Sequence, residues 1–175
     1  MSKKFSNNYK KLNKGQLSHY NEILNNLEDK NKPQIFFING SGGSGKTFLY
    51  NTILAKIRSK NEIAVAMAST GIASILLDGG NTAHSTLKLP LNVNSTAICD
   101  INSNSNLAEL IKKTKMFIWD EAPSMSSDVY ETVDRIFRDI TRIKNHLEVI
   151  YLITIDILKN TLFLKVHYMK IAFII

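Results

Sequence analysis

The sequence predicts an α/β domain built on a parallel sheet with helices on both faces, and three observations carry that prediction. Short apolar runs alternate along the chain with segments of helical periodicity, the pattern of a parallel sheet. A glycine-rich loop, Gly40-Ser41-Gly42-Gly43-Ser44-Gly45-Lys46-Thr47, lies between one such run and one such helical segment. A later run ends in two adjacent acids, Asp120 and Glu121.

Each element follows from its residues. Leu17, Tyr20, Ile23, Leu24 and Leu27 recur at helical spacing, so Leu17 to Leu27 is an amphipathic helix. Lys30 to Pro33 breaks it, and Gln34 to Ile38 is a short buried strand that turns at Asn39-Gly40 into the loop. Phe48 to Arg58 is the next helix, Ile63 to Ala68 a second strand, and Ile72 to Leu77 a short helix closed by a turn at Asp78 to Asn81. Pro90 to Asn106, rich in Asn and Ser, is expected to be irregular. Leu107 to Lys113 is helical and Met116 to Trp119 a third strand. Val129 to Ile143 is helical, with Val129, Val133, Ile136, Phe137 and Ile140 on one face. There is no internal repeat.

With 175 residues, 44% apolar and 21% charged, the chain is one domain in size and needs no disulfide or metal staple. The single cysteine, Cys99, excludes a disulfide framework and a cysteine-based zinc site, and suits a reducing compartment. His19, His146 and His167 share no metal-ligand spacing with one another or with Cys99. No eighteen-residue apolar run exists, so no membrane-spanning helix is expected, and the start has no signal-peptide core. The net charge of +7 favours a polyanionic partner. That charge is concentrated early: residues 1–60 hold eleven basic and three acidic side chains. Residues 1–10 are expected to be a solvated basic tail.

The loop is a full match to G-x-x-x-x-G-K-[ST], the phosphate loop. Its glycines let successive N–H groups turn inward on a phosphate, and the N-terminus of the following helix adds to that field. Lys46 is placed for the β- and γ-phosphates and the Thr47 hydroxyl for Mg²⁺. Asp120, at a strand tip, is expected to share the Mg²⁺, and Glu121 to orient the attacking water. Two adjacent acids favour hydrolysis over a small-molecule kinase, which more often has one Asp and an Arg-rich lid. The expected ligands are therefore a nucleoside triphosphate and Mg²⁺.

Five blocks in order carry a family resemblance: Leu12 to Gln16, the loop at 40–47, Ala68 to Ala73, Leu77 to Ser85, and Trp119 to Ala122. From Lys11 to about Ile140 the chain resembles the petite-integration-frequency helicases. These are ATP-driven 5′-to-3′ DNA helicases of superfamily one, the helicase part of Helitron-like elements included. The resemblance implies the first RecA-like domain of a two-domain motor, with work in DNA repair, recombination or telomere maintenance. By resemblance the triphosphate is ATP, Gln16 reads adenine, and Ser69, Thr70 and Gly71 hold the phosphates of single-stranded DNA. Thr82, Ala83, His84 and Ser85 match a block near the DNA path, where His84 either stacks on a base or donates to a phosphate, or is structural, as a lone His usually is. Ser69 or Thr70 can equally serve as a helix N-cap. Trp119 is explained by packing alone, and Arg135 and Arg138 by salt bridges to Asp134 and Asp139.

The family continues with Gly-Asp-x-x-Gln and a second RecA-like domain bearing an arginine finger, and nothing in residues 141–175 matches either. A separate domain, or a partner supplying that finger, is therefore expected. Ile143 to Ile175 holds 21 apolar residues, eight of them Ile. The expected division is a tail at 1–10, the RecA-like domain at 11–142, and an atypical apolar tail at 143–175. The last is expected to come from a truncated or mis-spliced reading, with Val149 to Ile155 as either a buried strand or, if exposed, an aggregation-prone segment. DNA as partner implies the nucleus, with the mitochondrion second. The alternative is a stand-alone nucleotide-binding module without motor activity.

Overall fold

The computed structural model describes residues 3–29, 35–93, 101–141, 150–155 and 171–174. Two helices come first, α1 (Lys3–Tyr9) and α2 (Lys14–Leu27). Then follow β1 (Ile35–Asn39), α3 (Lys46–Arg58), β2 (Ile63–Ala68), α4 (Gly71–Leu76), β3 (Asn81–Thr82) and α5 (Ala83–Leu87). The rest are α6 (Asn106–Lys113), β4 (Thr114–Asp120), α7 (Ser127–Thr141), β5 (Ile150–Ile155) and β6 (Ile171–Ile174). A short 3-10 turn, Ala122–Ser124, follows β4. Among the described residues the strands form one sheet in the order β3-β2-β4-β5-β1-β6. Every pairing in it is parallel.

Side chains alternate across a strand with period two, so each inner strand feeds two cores. Phe36 and Ile38 of β1 and Met116 and Ile118 of β4 join one cluster with α1, α2 and α3. Ile35 and Phe37 of β1 and Phe117 and Trp119 of β4 join the other with α5, α6 and α7. The second cluster includes an edge-to-face contact of Phe117 on Phe137, 4.9 Å between ring centres. Helices thus cover both faces, as the strand–helix alternation predicts.

Element ends follow local chemistry. Helix α2 begins at Lys14, three residues before Leu17, because Asn13 and Gln16 form a reciprocal capping box. Thr70 caps α4, Thr82 caps α5 and Ser105 caps α6, each accepting from a backbone N–H three residues on. The choice between Ser69 and Thr70 as cap therefore falls to Thr70.

The solvated tail expected at residues 1–10 needs correction, because residues 3–9 form a packed helix. Phe5 is 4% exposed, and Lys56 Nζ sits 4.9 Å above its ring. Tyr9 meets Tyr20 edge-on at 5.3 Å. Lys4 also pairs with Asp78 at 2.6 Å, but both side chains are partly exposed. A surface pair contributes about 0–1 kcal/mol, whereas burying a Phe contributes about 1.5–3 kcal/mol. Apolar burial, not charge, holds this helix.

Ile150–Ile155, within the stretch set apart as an atypical tail, is β5 and lies between β4 and β1. The strand expected there is present and paired on both sides. Gln34, Asn94–Asp100 (Cys99 among them), Arg142–Val149 (His146 among them) and His167 lie outside the described residues.

Candidate functional site

The sheet register gathers the candidate blocks at one end of the fold. Ala68 pairs with Asp120 on one side and with Thr82 on the other, so these three strand tips are level. With strands about 4.8 Å apart, Thr82 lies about 10 Å from Asp120 across the sheet. The phosphate loop leaves the same carboxyl end from β1, beyond β5. Ligands of open α/β sheets bind outside the carboxyl ends of their strands.

The loop has the backbone that its sequence requires. Gly43 and Gly45 stand at φ 77° and 85°, where a side chain is strained. Gly45 is the N-cap of α3 and offers no side chain, so the first-turn N–H groups of the helix lack a side-chain cap. Lys46 Nζ donates to the carbonyls of Gly40 and, at 3.1 Å, Ser41. Its ammonium therefore lies over its own loop, where phosphate oxygens would compete for its protons. Thr47 occupies the first turn of α3.

Gln16 connects the N-terminal region to this loop. Its Oε1 accepts from Asn13 N at 3.1 Å, and its Nε2 lies 3.4 Å from the carbonyls of both Ser44 and Gly45. Both ends of the amide are engaged beside the phosphate loop.

The acids sit on a braced turn. Asp120 is 6% exposed, and one of its carboxylate oxygens accepts from Glu121 N at 3.0 Å. Glu121 is exposed and stands at φ 53°, a sparsely populated conformation for a residue other than glycine. Ser124 Oγ donates to Glu121 O at 2.8 Å, and the Tyr130 hydroxyl donates to Ala122 O. Burial raises the Tyr130 phenol well above its ordinary range. Among the described residues no group of three or more His, Cys, Asp and Glu side chains could hold a metal. A Mg²⁺ here would depend on Asp120, Thr47 and the phosphates together, and the oxygen donors suit that ion.

Three hydrogen bonds lace the end of β4 and the following Glu121 to the residues after β2. Ser69 N donates to Asp120 O at 3.1 Å. Trp119 Nε1 donates to Ser69 Oγ at 3.2 Å. Thr70 Oγ1 donates to Glu121 Oε2 at 2.9 Å. Gly71 opens α4 just beyond. Thr82, His84 and Ser85 cluster at the start of α5, where Thr82 Oγ1 accepts from Ser85 N at 3.2 Å.

Several supports were not legible in the sequence. Trp119, read as packing, also holds Ser69 across fifty positions. Tyr130 and Ser124 brace the acid turn. Asn51 of α3 donates to Leu76 O and accepts from Asp78 N, fastening the end of α4 to the phosphate-loop helix. Such pairs leave no local pattern. Arg138 bonds Asp134 at 2.9 Å as expected, whereas Arg135 donates to Thr132.

Sheet order, phosphate loop and paired acids define a P-loop nucleotide-binding domain of the RecA-like class. The chain belongs to the PIF1-like helicase family, whose model matches residues 11–151. It is 29% identical over 104 residues to the ATP-dependent DNA helicase Pif1 of Campylobacter jejuni, covering 55% of this chain and 23% of that protein. It is 31% identical over 114 residues to the ATP-dependent DNA helicase PIF1 of Emericella nidulans, covering 61% and 15%. The Pif1 helicase structure from Candida albicans superposes with a TM-score of 0.67 at 22% identity, over 82% of this chain and 32% of that one. Bacteroides Pif1 in complex with ADP-AlF3 and ssDNA gives 0.65 at 26% identity, over 79% and 31%. The chain thus spans less than a quarter of these curated relatives.

Proposed function

We propose that these residues form the ATP-binding, RecA-like part of an ATP-dependent 5′-to-3′ DNA helicase. The observation that carries this reading is the meeting of a complete phosphate loop, paired acids and the Ser69–Thr70 block at the carboxyl ends of one parallel sheet. The loop from Gly40 to Thr47 holds the triphosphate, with Lys46 on its β- and γ-oxygens. Thr47 and Asp120 hold Mg²⁺, which neutralises phosphate charge when bound. Glu121 orients the attacking water. Gln16 reads adenine once its amide leaves the loop carbonyls. Ser69, Thr70, Gly71, Thr82, His84 and Ser85 contact single-stranded DNA.

A second RecA-like domain, or a partner, supplies the arginine finger. Among the described residues Arg58 is bound to Ala64 O and Asp78 O, and Arg135 and Arg138 are engaged within α7. Work in repair, recombination or telomere maintenance, in the nucleus and secondarily the mitochondrion, follows from the same reading.

Titrating the chain with a fluorescent ATP analogue and Mg²⁺, and separately with a labelled oligothymidylate, tests this. Both should bind, and Lys46→Ala should weaken the nucleotide by about 10²-fold while sparing DNA. ATP binding without DNA binding would instead mark a nucleotide-binding module. Failure to bind ATP would overturn the reading.

A further inference from the structure

Thr70 is bound twice through one hydroxyl. Its oxygen accepts from Ala73 N at 3.2 Å, which caps α4, and its proton goes to Glu121 Oε2 at 2.9 Å. A threonine hydroxyl carries a single hydrogen. That hydrogen cannot serve the Glu121 carboxylate and a DNA phosphate together, and two anions crowded on one donor repel. Ser69 differs. Its oxygen accepts from Trp119 Nε1, and its own proton has no acceptor among the described residues. A phosphate can therefore take the Ser69 proton without breaking a bond, but it can take the Thr70 proton only by releasing Glu121.

The acid turn can register such a release. Glu121 stands at φ 53°, and its backbone is fixed by Ser124 Oγ on its carbonyl and Asp120 Oδ1 on its N–H. The main chain stays pinned while the exposed side chain turns. Thr70 Oγ1 is the one side-chain donor recorded to this carboxylate among the described residues.

We propose that Thr70 is a positioning residue for Glu121, and that its one proton alternates between the carboxylate and a phosphate of single-stranded DNA. With DNA absent the carboxylate is tethered toward α4. With DNA bound it is free to serve the nucleotide. DNA occupancy is thereby reported to the water-orienting acid through a single hydrogen bond. The inference rests on the DNA contacts proposed above for Ser69 and Thr70.

The test needs no nucleotide and no turnover. The full chain is labelled with ¹³C at its glutamate carboxyl groups, seven in all, and the Glu121 signal is assigned with Glu121→Gln. Adding oligothymidylate should move the Glu121 signal of the wild type. In Thr70→Val the signal should start at the DNA-saturated wild-type position and stay there when DNA, checked by anisotropy, saturates the variant. Thr70→Ser keeps the donor and should restore the wild-type response, which a merely structural role for the methyl group would not. DNA binding that leaves the wild-type Glu121 signal in place would overturn the inference alone, as would Thr70→Val responding like wild type. If Thr70→Val does not fold, the wild-type and Thr70→Ser arms still decide it. Absence of DNA binding by anisotropy would overturn both this inference and the DNA contacts beneath it.

Discussion

The side-chain amide of Gln16 lies 3.4 Å from the carbonyl of Gly45, so the capping box of one helix also packs against the phosphate loop of another. A methyl group on Gly45 would meet Gln16 Nε2 at 2.5 Å, at a residue already at φ 85°. A Cβ on Gly42 would meet nothing within 4 Å. Gly45→Ala should therefore cost about 1–2 kcal/mol from the backbone alone and weaken ATP binding. Gly42→Ala should change thermal melting little. Equal melting temperatures for the two variants would contradict this account of the loop.

Turnover should be far weaker than binding. An arginine finger contributes a factor of about 10³–10⁵ in rate, and each described arginine is engaged elsewhere. The 175 residues expressed alone should bind Mg-ATP, hydrolyse it near background, and fail to separate a duplex with a 5′ single-stranded tail. A gel assay decides it. Unwinding that requires ATP and is abolished by Glu121→Gln would refute the need for a finger from outside.

Binding of single-stranded DNA should be electrostatic and indifferent to sequence. With about three phosphate contacts, affinity should fall about 20-fold between 50 and 200 mM salt. Anisotropy at several salt concentrations measures the slope. A flat response would remove the phosphate contacts assigned to the Ser69 and Thr82 blocks.

Tyr130 gives a pH prediction. Its folded-state pKa is raised above the unfolded value near 10 by burial, so its contribution to stability is complete below about pH 10. Above that pH the unfolded chain ionises while the folded phenol keeps its proton, and stability falls. Tyr130→Phe loses the hydrogen bond to Ala122 O and should lower melting by about 2–4 °C at pH 8. Its decline between pH 10 and 11.5 should be shallower than that of wild type. Parallel curves for the two proteins would count against it.

What the sequence made legible had a local cause. Helix α2, strand β2 and the phosphate loop each declare themselves through spacing or fixed residue types within a dozen positions. Helix α1 did not, because Phe5 and Tyr9 show no helical repeat over so short a span, and their packing on Tyr20 of α2 and beneath Lys56 of α3 joins positions distant in the chain. The candidate residues of the site were legible as types. Their connections were not. The bonds from Thr70 to Glu121 and from Trp119 to Ser69 each join residues about fifty positions apart, and only sheet register brings them together.

The place of β5 has a consequence for how the chain folds. Ile35 of β1 pairs with Tyr151 of β5, 116 positions later, and β5 is also the neighbour of β4. During synthesis at 5–20 residues per second, β1 waits about 6–23 s before its partner leaves the ribosome. Until then β4 presents one unpaired edge, and β1, whose other neighbour β6 comes later still, presents two. Such long-range parallel closure is slow because the intervening loop must be ordered before its contacts form. A chaperone that shields strand edges should therefore raise the soluble yield more than one that acts on exposed helices.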